Sequence, residues 1–597
     1  MLNINKLRKT DHAIISIGSH IPILQSMLDF EYLAKYDQPS LKAIIATGRK
    51  YIRMFFGKKE VLIPVYSSVS DLPSNIRNKI TLFINLSSAR RVLSSTCDVI
   101  AEFPNLMGGT IFAENVPEKH ELELYHYSQK KNVFVVGPSS VGLLISNKLK
   151  LGAIAGTQAK QLVESQVFTP GSVAVFSASG GMTNELIRLT SQAGKRLSFS
   201  LSFGGDRFPI CTPVEAFLAA EKDTDTTHII YFGELGGYDE YELADLIKSK
   251  KVTKPVIAYI AGTISDMFET PPQFGHAKAM ASRGEETSKA KAEALRRVRI
   301  KATNSFTEFL SLVKKIPAKI HNIAIETRHA SSLRIIENRR PSLFINSVSH
   351  DVGGSVEIVK QDLLTMVKKQ SYGWIVASML LGKPVKSKEL AEFFDFVLKL
   401  LVDHGPYVSG AVNTMIAARA GRDLVSSLAS GLLTIGPRFG GAINQAAQHW
   451  LDGVGRQVEA HVFVEEIAKA KKRISGIGHR KYRIDYPDPR VKAIMAFTGK
   501  LKYKKYTSFA LGVEKVTTAK KGNLILNVDG AIAAVLLDIL SEKEQCSDAE
   551  LKELIDIEFF NALFVLSRSV GFTAHYLDQR RLDEGLFRLT QEDVVYV

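Results

Sequence analysis

Residues 271–282 read PPQFGHAKAMAS, and their histidine, His276, follows a bend rich in proline and glycine. An imidazole beside a carboxylate can accept a phosphoryl group, the carboxylate holding one ring nitrogen while the other attacks. Two carboxylates suit that role by position. Glu234, in YFGELGGYDEYE, and Glu114, in IFAENVPE, each follow an apolar run that reads as a strand. They fall at the carboxyl edge, where parallel sheets bind ligands. FSASGGMTNELIRL (176–189) reads as a strand, a small-residue turn and a helix. The first N–H groups of that helix, around Ser179, Gly180 and Gly181, could hold an anion without a basic side chain. Each feature has a plain alternative. These are a core histidine before a helix with acids at 285–286 and basics at 296–299, a helix-capping acid, and an ordinary serine-capped loop.

A second constellation lies towards the C-terminus. VDHGPYVSG, GIGHRKY, DYPDPRV, LNVDGAI and HYLDQRRL set His404, His479, Arg480, Arg490, Asp529 and Arg581 at or near glycine-flanked bends. Arginine forks suit carboxylates, while histidine and aspartate suit proton transfer at carbon. Together they point to a di- or tricarboxylate site, although each alone could be a cap or a surface ion pair.

The elements that must position these residues change in character along the chain. Residues 12–310 alternate short β-branched runs with amphipathic ones: HAIISIG, LKAIIAT, EVLIPVY, ITLFINL, GTIFAE and NVFVVG, then SVAVFSAS, LSFSLSF, THIIYFGE and KPVIAYIAG. Two such series predict two successive α/β doubly wound domains. The first strand is followed by Gly18-Ser19-His20 and not by G-x-G-x-x-G, which argues against a standard dinucleotide site. Beyond about residue 340 apolar residues recur at i, i+3, i+4 and i+7, the pattern of an all-α domain.

Composition narrows the function classes. The 597 residues are 45% apolar and 23% charged, an ordinary globular balance. No apolar run is long enough to span a membrane and no secretory leader is evident, so a cytoplasmic protein is expected. Three scattered cysteines offer neither a metal spacing nor a disulfide framework, and no metal site is expected. The net charge of +16 is dispersed. It fits polyanionic small molecules or acidic partner surfaces better than nucleic acid.

Taken in order, ASGGMTNEL, GELGG, QFGHA, DHGPYVSGA, ARAGRDLVSSLASGLLTIGPRFGGA, GIGHR and LILNVDG closely resemble the ATP-citrate lyase family, in the part without its ATP-grasp module. The likeness runs along nearly the whole chain. Its first half also resembles the α subunit of succinyl-CoA synthetase, and its second half citrate synthase. The resemblance implies a Rossmann-like CoA-binding domain (1–160), a flavodoxin-like CoA-ligase domain (161–315), a linker (316–340) and a citrate-synthase-like domain (341–597).

By motif, His276 would be the phosphorylated residue, with Ser179, Gly180 and Gly181 holding the phosphoryl group and Glu114 and Glu234 contacting the imidazole. Ser88 and Arg90, in NLSSARR, would contact coenzyme A. Asp529 would protonate the nascent acetyl-CoA carbon. His404 and His479 would polarise the citryl hydroxyl and carbonyls, and Arg480, Arg490 and Arg581 would grip carboxylates, Arg581 across a subunit boundary. ATP and Mg2+ would sit on a partner ATP-grasp subunit resembling the β subunit of succinyl-CoA synthetase. The helical domain would build a homo-oligomer, expected to be a tetrameric core. Citrate and coenzyme A would be the substrates, by way of citryl phosphate and citryl-CoA.

Some positions depart from the wider pattern. Phe439 stands where citrate synthases carry a catalytic histidine, a change the lyase family shares. Tyr407 and Val412 replace the family's usual residues, and 316–372 matches poorly, with SHDVGG in place of a family segment. A related lyase for another di- or tricarboxylate, or a non-catalytic paralogue, are the alternatives.

Overall fold

A computed structural model describes residues 2–268, 272–276, 279–317, 326–351, 353–436 and 440–597. The chain forms two compact units, Met1–Leu343 and Phe344–Val597.

The first unit holds two seven-stranded sheets in succession. The first is built from β1 (Ile14–Ile17), β2 (Leu41–Ile45), β3 (Tyr51–Phe56), β4 (Lys59–Tyr66), β5 (Leu82–Asn85), β6 (Gly108–Ile111) and β7 (Phe134–Val136). Their order is β3-β4-β2-β1-β5-β6-β7. All neighbours are parallel except β3, which pairs antiparallel with β4. Without β3 the order runs 3-2-1-4-5-6, that of the Rossmann-like fold. Burial explains which strands the sequence announces. β1 and β5 are buried at every residue, hence their unbroken apolar runs. The edge strand β3 alternates exposed and buried at its start and gives a weaker signal.

The second sheet comprises β8 (Leu143–Ile145), β9 (Leu149–Leu151), β10 (Val173–Ser177), β11 (Leu197–Ser202), β12 (His228–Glu234), β13 (Val256–Ala261) and β14 (Lys301–Thr303). Its order is β14-β13-β12-β10-β11-β8-β9. The five strands β10 to β14 are parallel in the flavodoxin-like order 2-1-3-4-5. β8 and β9 add an antiparallel pair. At three residues each they are too short to show periodicity, so the second sheet begins at Leu143 and not near residue 160.

The stretch expected as a linker also belongs to the first unit, apart from 318–325, which lie outside the described residues. Ile336, on helix Glu326–Glu337, packs in a core with Phe168 and Phe309. Arg339 grips the Asp29 carboxylate with two N–H donors, at 2.7 and 3.2 Å.

The second unit is helical but not wholly so. It opens with a small antiparallel sheet of Ser349–Asp351, Val356–Ile358 and Gln361–Asp362. At its centre runs helix Val528–Glu542, VDGAIAAVLLDILSE, buried from Gly530 to Leu540. A helix apolar on every side must be surrounded, and Lys388–Leu400, Ala442–Gly455 and Lys505–Lys520 pack around it. Asn527 caps its start by accepting from Gly530 N–H at 3.1 Å. A Cβ on Gly530 would come within 2.4 Å of the Gly476 carbonyl, so the loop carrying His479 lies directly on this helix start. Among the described residues no helix is long and apolar enough to cross a membrane.

Candidate active sites

The first site forms where the connections after β10 and β12 diverge, the place where an open α/β sheet binds ligands. Helix Gly180–Gln192 starts directly after β10, its N-cap Ser179 accepting from Met182 N–H at 3.3 Å. Ser179, Gly180 and Gly181 line a cavity of about 290 Å³ together with Glu114, Asp206 and His276. Glu234 ends β12, and both its carboxylate oxygens lie 3.0 Å from His276 Nδ1. That contact places the proton of a neutral ring on Nδ1 and makes Nε2 the basic nitrogen.

Two glycines shape the cavity. A Cβ on Gly205 would sit 2.4 Å from His276 Cδ2, so only glycine lets the ring lie against this backbone. A Cβ on Gly181 would meet nothing within 4 Å, so the space beside the helix start is open.

Glu114 lines the same cavity, but among the described residues it makes no hydrogen bond to the imidazole; the carboxylate that does is Glu234. Nor does His276 stand at a helix start. The following helix is Ser288–Arg297, capped by Thr287, and Glu285 and Glu286 lie in the turn before it. Glu286 accepts from the backbone N–H groups of Ser282 and Arg283, which accounts for those acids locally. Gly205 and Asp206, in FGGDRFP after β11, went unnoticed in the sequence; their signal is a second glycine pair at a strand's carboxyl end.

Ser88 and Arg90 lie exposed in the loop after β5, outside this cavity. That loop is at the first sheet's own divergence point. A Cβ on Gly18, after β1, would be 3.0 Å from the Leu86 carbonyl oxygen, so the loops following β1 and β5 touch.

The second site is a cavity of about 200 Å³ in the helical unit, lined among others by His404, His479, Arg490, Asn527, Asp529 and Arg568. The buried Asp488 accepts from Arg490 Nε at 3.1 Å and Nη2 at 2.7 Å. Arg490 Nη1 then donates to His404 Nδ1 at 3.1 Å. A guanidinium only donates, so a neutral His404 carries its proton on Nε2. His479 Nδ1 accepts from the N–H groups of Lys481 and Tyr482, 3.0 Å each, which fixes the same tautomer. Burial lowers the pKa of both rings, with the Arg490 charge adding to it, and keeps them neutral donors at pH 7.

The side chain of Asp529, in the first turn of the buried helix, makes no hydrogen bond among the described residues. Burial pushes its carboxyl up to about 6 against the pull of Arg490 and Arg568. Arg568 is 4% exposed. Its Nε and Nη1 find no partner among the described residues, and its guanidinium lies 4.7 Å from the centre of the Phe564 ring. Buried donors without partners facing a cavity call for an anion. Arg568 was not among the residues picked out from the sequence; its signal was a lone arginine in the apolar run FVLSRSVGF.

Arg480 and Arg581 are exposed and do not line the cavity, Arg581 being the last residue of helix Phe559–Arg581. Tyr407 is also exposed, its ring 6.3 Å from that of His404. Phe439 lies outside the described residues.

The chain has known relatives in sequence and fold. Residues 223–590 match the citrate synthase C-terminal domain. The probable ATP-citrate synthase subunit 1 of Neurospora crassa is 36% identical over 96% of this chain and 88% of its own length. The chain belongs to the ATP-citrate synthase family. The rice member named ATP-citrate synthase beta chain protein 1 is 35% identical, with 98% of each chain covered. The solved structure of ATP citrate lyase from Methanothrix soehngenii, in complex with citrate and coenzyme A, is 32% identical, covering 98% of this chain and 97% of that one, with a TM-score of 0.50. In this member of the ATP-citrate synthase family each of the two cavities is lined by residues of a single unit.

Proposed function

We propose that this chain is the catalytic subunit of an ATP-driven citrate cleavage, with one stage in each unit. A partner subunit of ATP-grasp type, carrying ATP and Mg2+, transfers a phosphoryl group to His276 Nε2. The helix start at Ser179, Gly180 and Gly181 stabilises its charge. The phosphoryl group passes to a citrate carboxylate, giving citryl phosphate and restoring the imidazole. The thiol of coenzyme A, held near Ser88 and Arg90, displaces phosphate to give citryl-CoA.

In the helical unit Arg490 and Arg568 hold the carboxylates, and the Nε2–H groups of His404 and His479 donate to the citryl oxygens. The carbon–carbon bond then breaks. The citryl hydroxyl proton passes to solvent water and Asp529 gives its proton to the acetyl carbon, to be reprotonated from solvent, giving oxaloacetate and acetyl-CoA. Arg581 would act only on a neighbouring copy, in a homo-oligomer built through the helical unit around a tetrameric core. A cytoplasmic enzyme fits this chemistry.

The observation that carries the reading is His276, held by Glu234 across the cavity from a glycine helix start, in a chain of this family. The test is reconstitution with an ATP-grasp subunit, ATP, citrate and coenzyme A. Acetyl-CoA and oxaloacetate should form, with acid-labile phosphate on the chain. His276→Ala should lose both while still cleaving added citryl-CoA. Absence of products from the wild-type pair, where a known lyase works, would sink the reading, as would phosphate persisting in His276→Ala.

One contact favours a second reading, cleavage of a related di- or tricarboxylate. Tyr407 stands beside His404, where a smaller residue is usual. A substrate panel in which another acid turns over as well as citrate would decide for it.

A further inference from the structure

The Glu234 carboxylate can hold His276 only if the end of β12 is itself held, and a buried ionic network stands behind it. Lys291, on helix Ser288–Arg297, and Glu240, on helix Asp239–Lys248, form an ion pair in which each side chain is 1% exposed. The Lys291 ammonium also donates to the Glu234 carbonyl oxygen, at 2.8 Å, and to the Gly236 carbonyl oxygen. Two of its donors are thus spent on the turn that follows β12, while its charge is paired with Glu240. Glu240 Oε1 in turn accepts from the Tyr231 hydroxyl at 2.9 Å, and Tyr231 is on β12 itself. A Cβ on Gly233 would lie 2.2 Å from Glu240 Oε1, so the carboxylate passes where only glycine leaves room. Gly236 and Gly237 adopt φ of +84° and +64°, turning the chain so that the two carbonyls converge. The glycines of GELGG and the glutamate that follows in YDE are therefore parts of one device.

A buried ion pair is a weak way to gain stability, since apolar residues of similar volume often serve as well or better. What apolar residues cannot do is fix two carbonyl oxygens at a point. We propose that Lys291, supported by Glu240, is a positioning residue: it locks the Glu234–Gly236 turn and so aims the Glu234 carboxylate at His276 Nδ1. This inference rests on His276 being the phosphoryl carrier.

The test uses the full chain with its ATP-grasp partner and reads acid-labile phosphate on His276 in single turnover, with thermal melting of the full chain as the measure of intact fold and cleavage of added citryl-CoA as the control for the second unit. Lys291→Met strands a buried charge, so the neutral pair Lys291→Met/Glu240→Gln is made beside it. In the neutral pair phosphorylation should slow at least tenfold while the melting profile of the full chain stays that of the wild type and citryl-CoA cleavage stays within twofold of it. Lys291→Arg should recover part of the rate. The same neutral pair added to Glu234→Gln should cost less than twofold more, because Lys291 acts only through Glu234. Phosphorylation at the wild-type rate in the neutral pair, or losses that multiply with Glu234→Gln, would overturn the positioning role alone. No phosphate on the wild-type chain would overturn the carrier reading and this inference with it.

Discussion

Asp529 keeps its proton up to about pH 6, because burial opposes the carboxylate more than Arg490 and Arg568 favour it. The consequence for catalysis has opposite signs in the two directions. Cleavage needs the acid form, so kcat/KM for citryl-CoA should fall as pH rises through about 6. Deprotonation of acetyl-CoA, read as solvent deuterium entering its methyl group, needs the carboxylate and should rise over the same range. Asp529→Asn should lower both by about 10²- to 10⁴-fold.

Stability carries the converse cost. A carboxyl whose folded pKa exceeds its unfolded value binds protons more tightly when folded. Folding therefore loses stability as pH climbs from about 4 through about 6, by at most about 3 kcal/mol. Asp529→Asn should accordingly melt higher than wild type at pH 7.5 and not at pH 4. A variant equally stable at both would show that the carboxyl is not strained by burial.

Helix starts set both sites, and glycines decide what fits against them. The Gly530 backbone touches Gly476, and the loop beyond Gly476 carries His479. Gly530→Ala should push that loop away and separate the His479 imidazole from Asp529. Citryl-CoA cleavage should fall about 10- to 100-fold while phosphorylation of His276 is unchanged, as 1 Å displacements in active sites do. Gly181 is the opposite case, since nothing lies within 4 Å of its missing Cβ. Gly181→Leu should fold and melt like wild type but fill the space beside the helix start and abolish phosphate on His276. Phosphorylation at the normal rate in that variant would remove the helix start from the mechanism.

At the scale of the molecule, each unit has its own core and its own cavity. A polypeptide of residues 344–597 should therefore fold alone and cleave added citryl-CoA, while making no acetyl-CoA from citrate and ATP. Activity measured on the separate unit beside the full chain checks this; loss of cleavage in a folded unit would show that the first unit completes the site. Much of this organisation is written in the sequence. Strands buried on both faces must be continuously apolar, so β1, β5, β10 and β12 announce themselves along with the carboxyl edges that bear Ser179 and Glu234. The sequence singled out His276, His404, His479, Arg490 and Asp529, and Arg480 and Arg581 with them, through the order of motifs shared with one family more than through any single bend. Tertiary structure alone decided the rest. Whether Glu114, after β6 of the first sheet, or Glu234, at the end of β12 of the second, reaches the imidazole depends on how the fold brings both to one cavity, not on spacing. Arg568 is ordinary in sequence and becomes notable only when folding buries its guanidinium beside Asp529 without a protein partner. Lys291 and Glu240 lie 51 residues apart and look like two surface charges until the sheet brings them together beneath Glu234. Local sequence sets local geometry and charge type; burial and partnership are properties of chain segments distant in sequence, and only the packed fold assigns them.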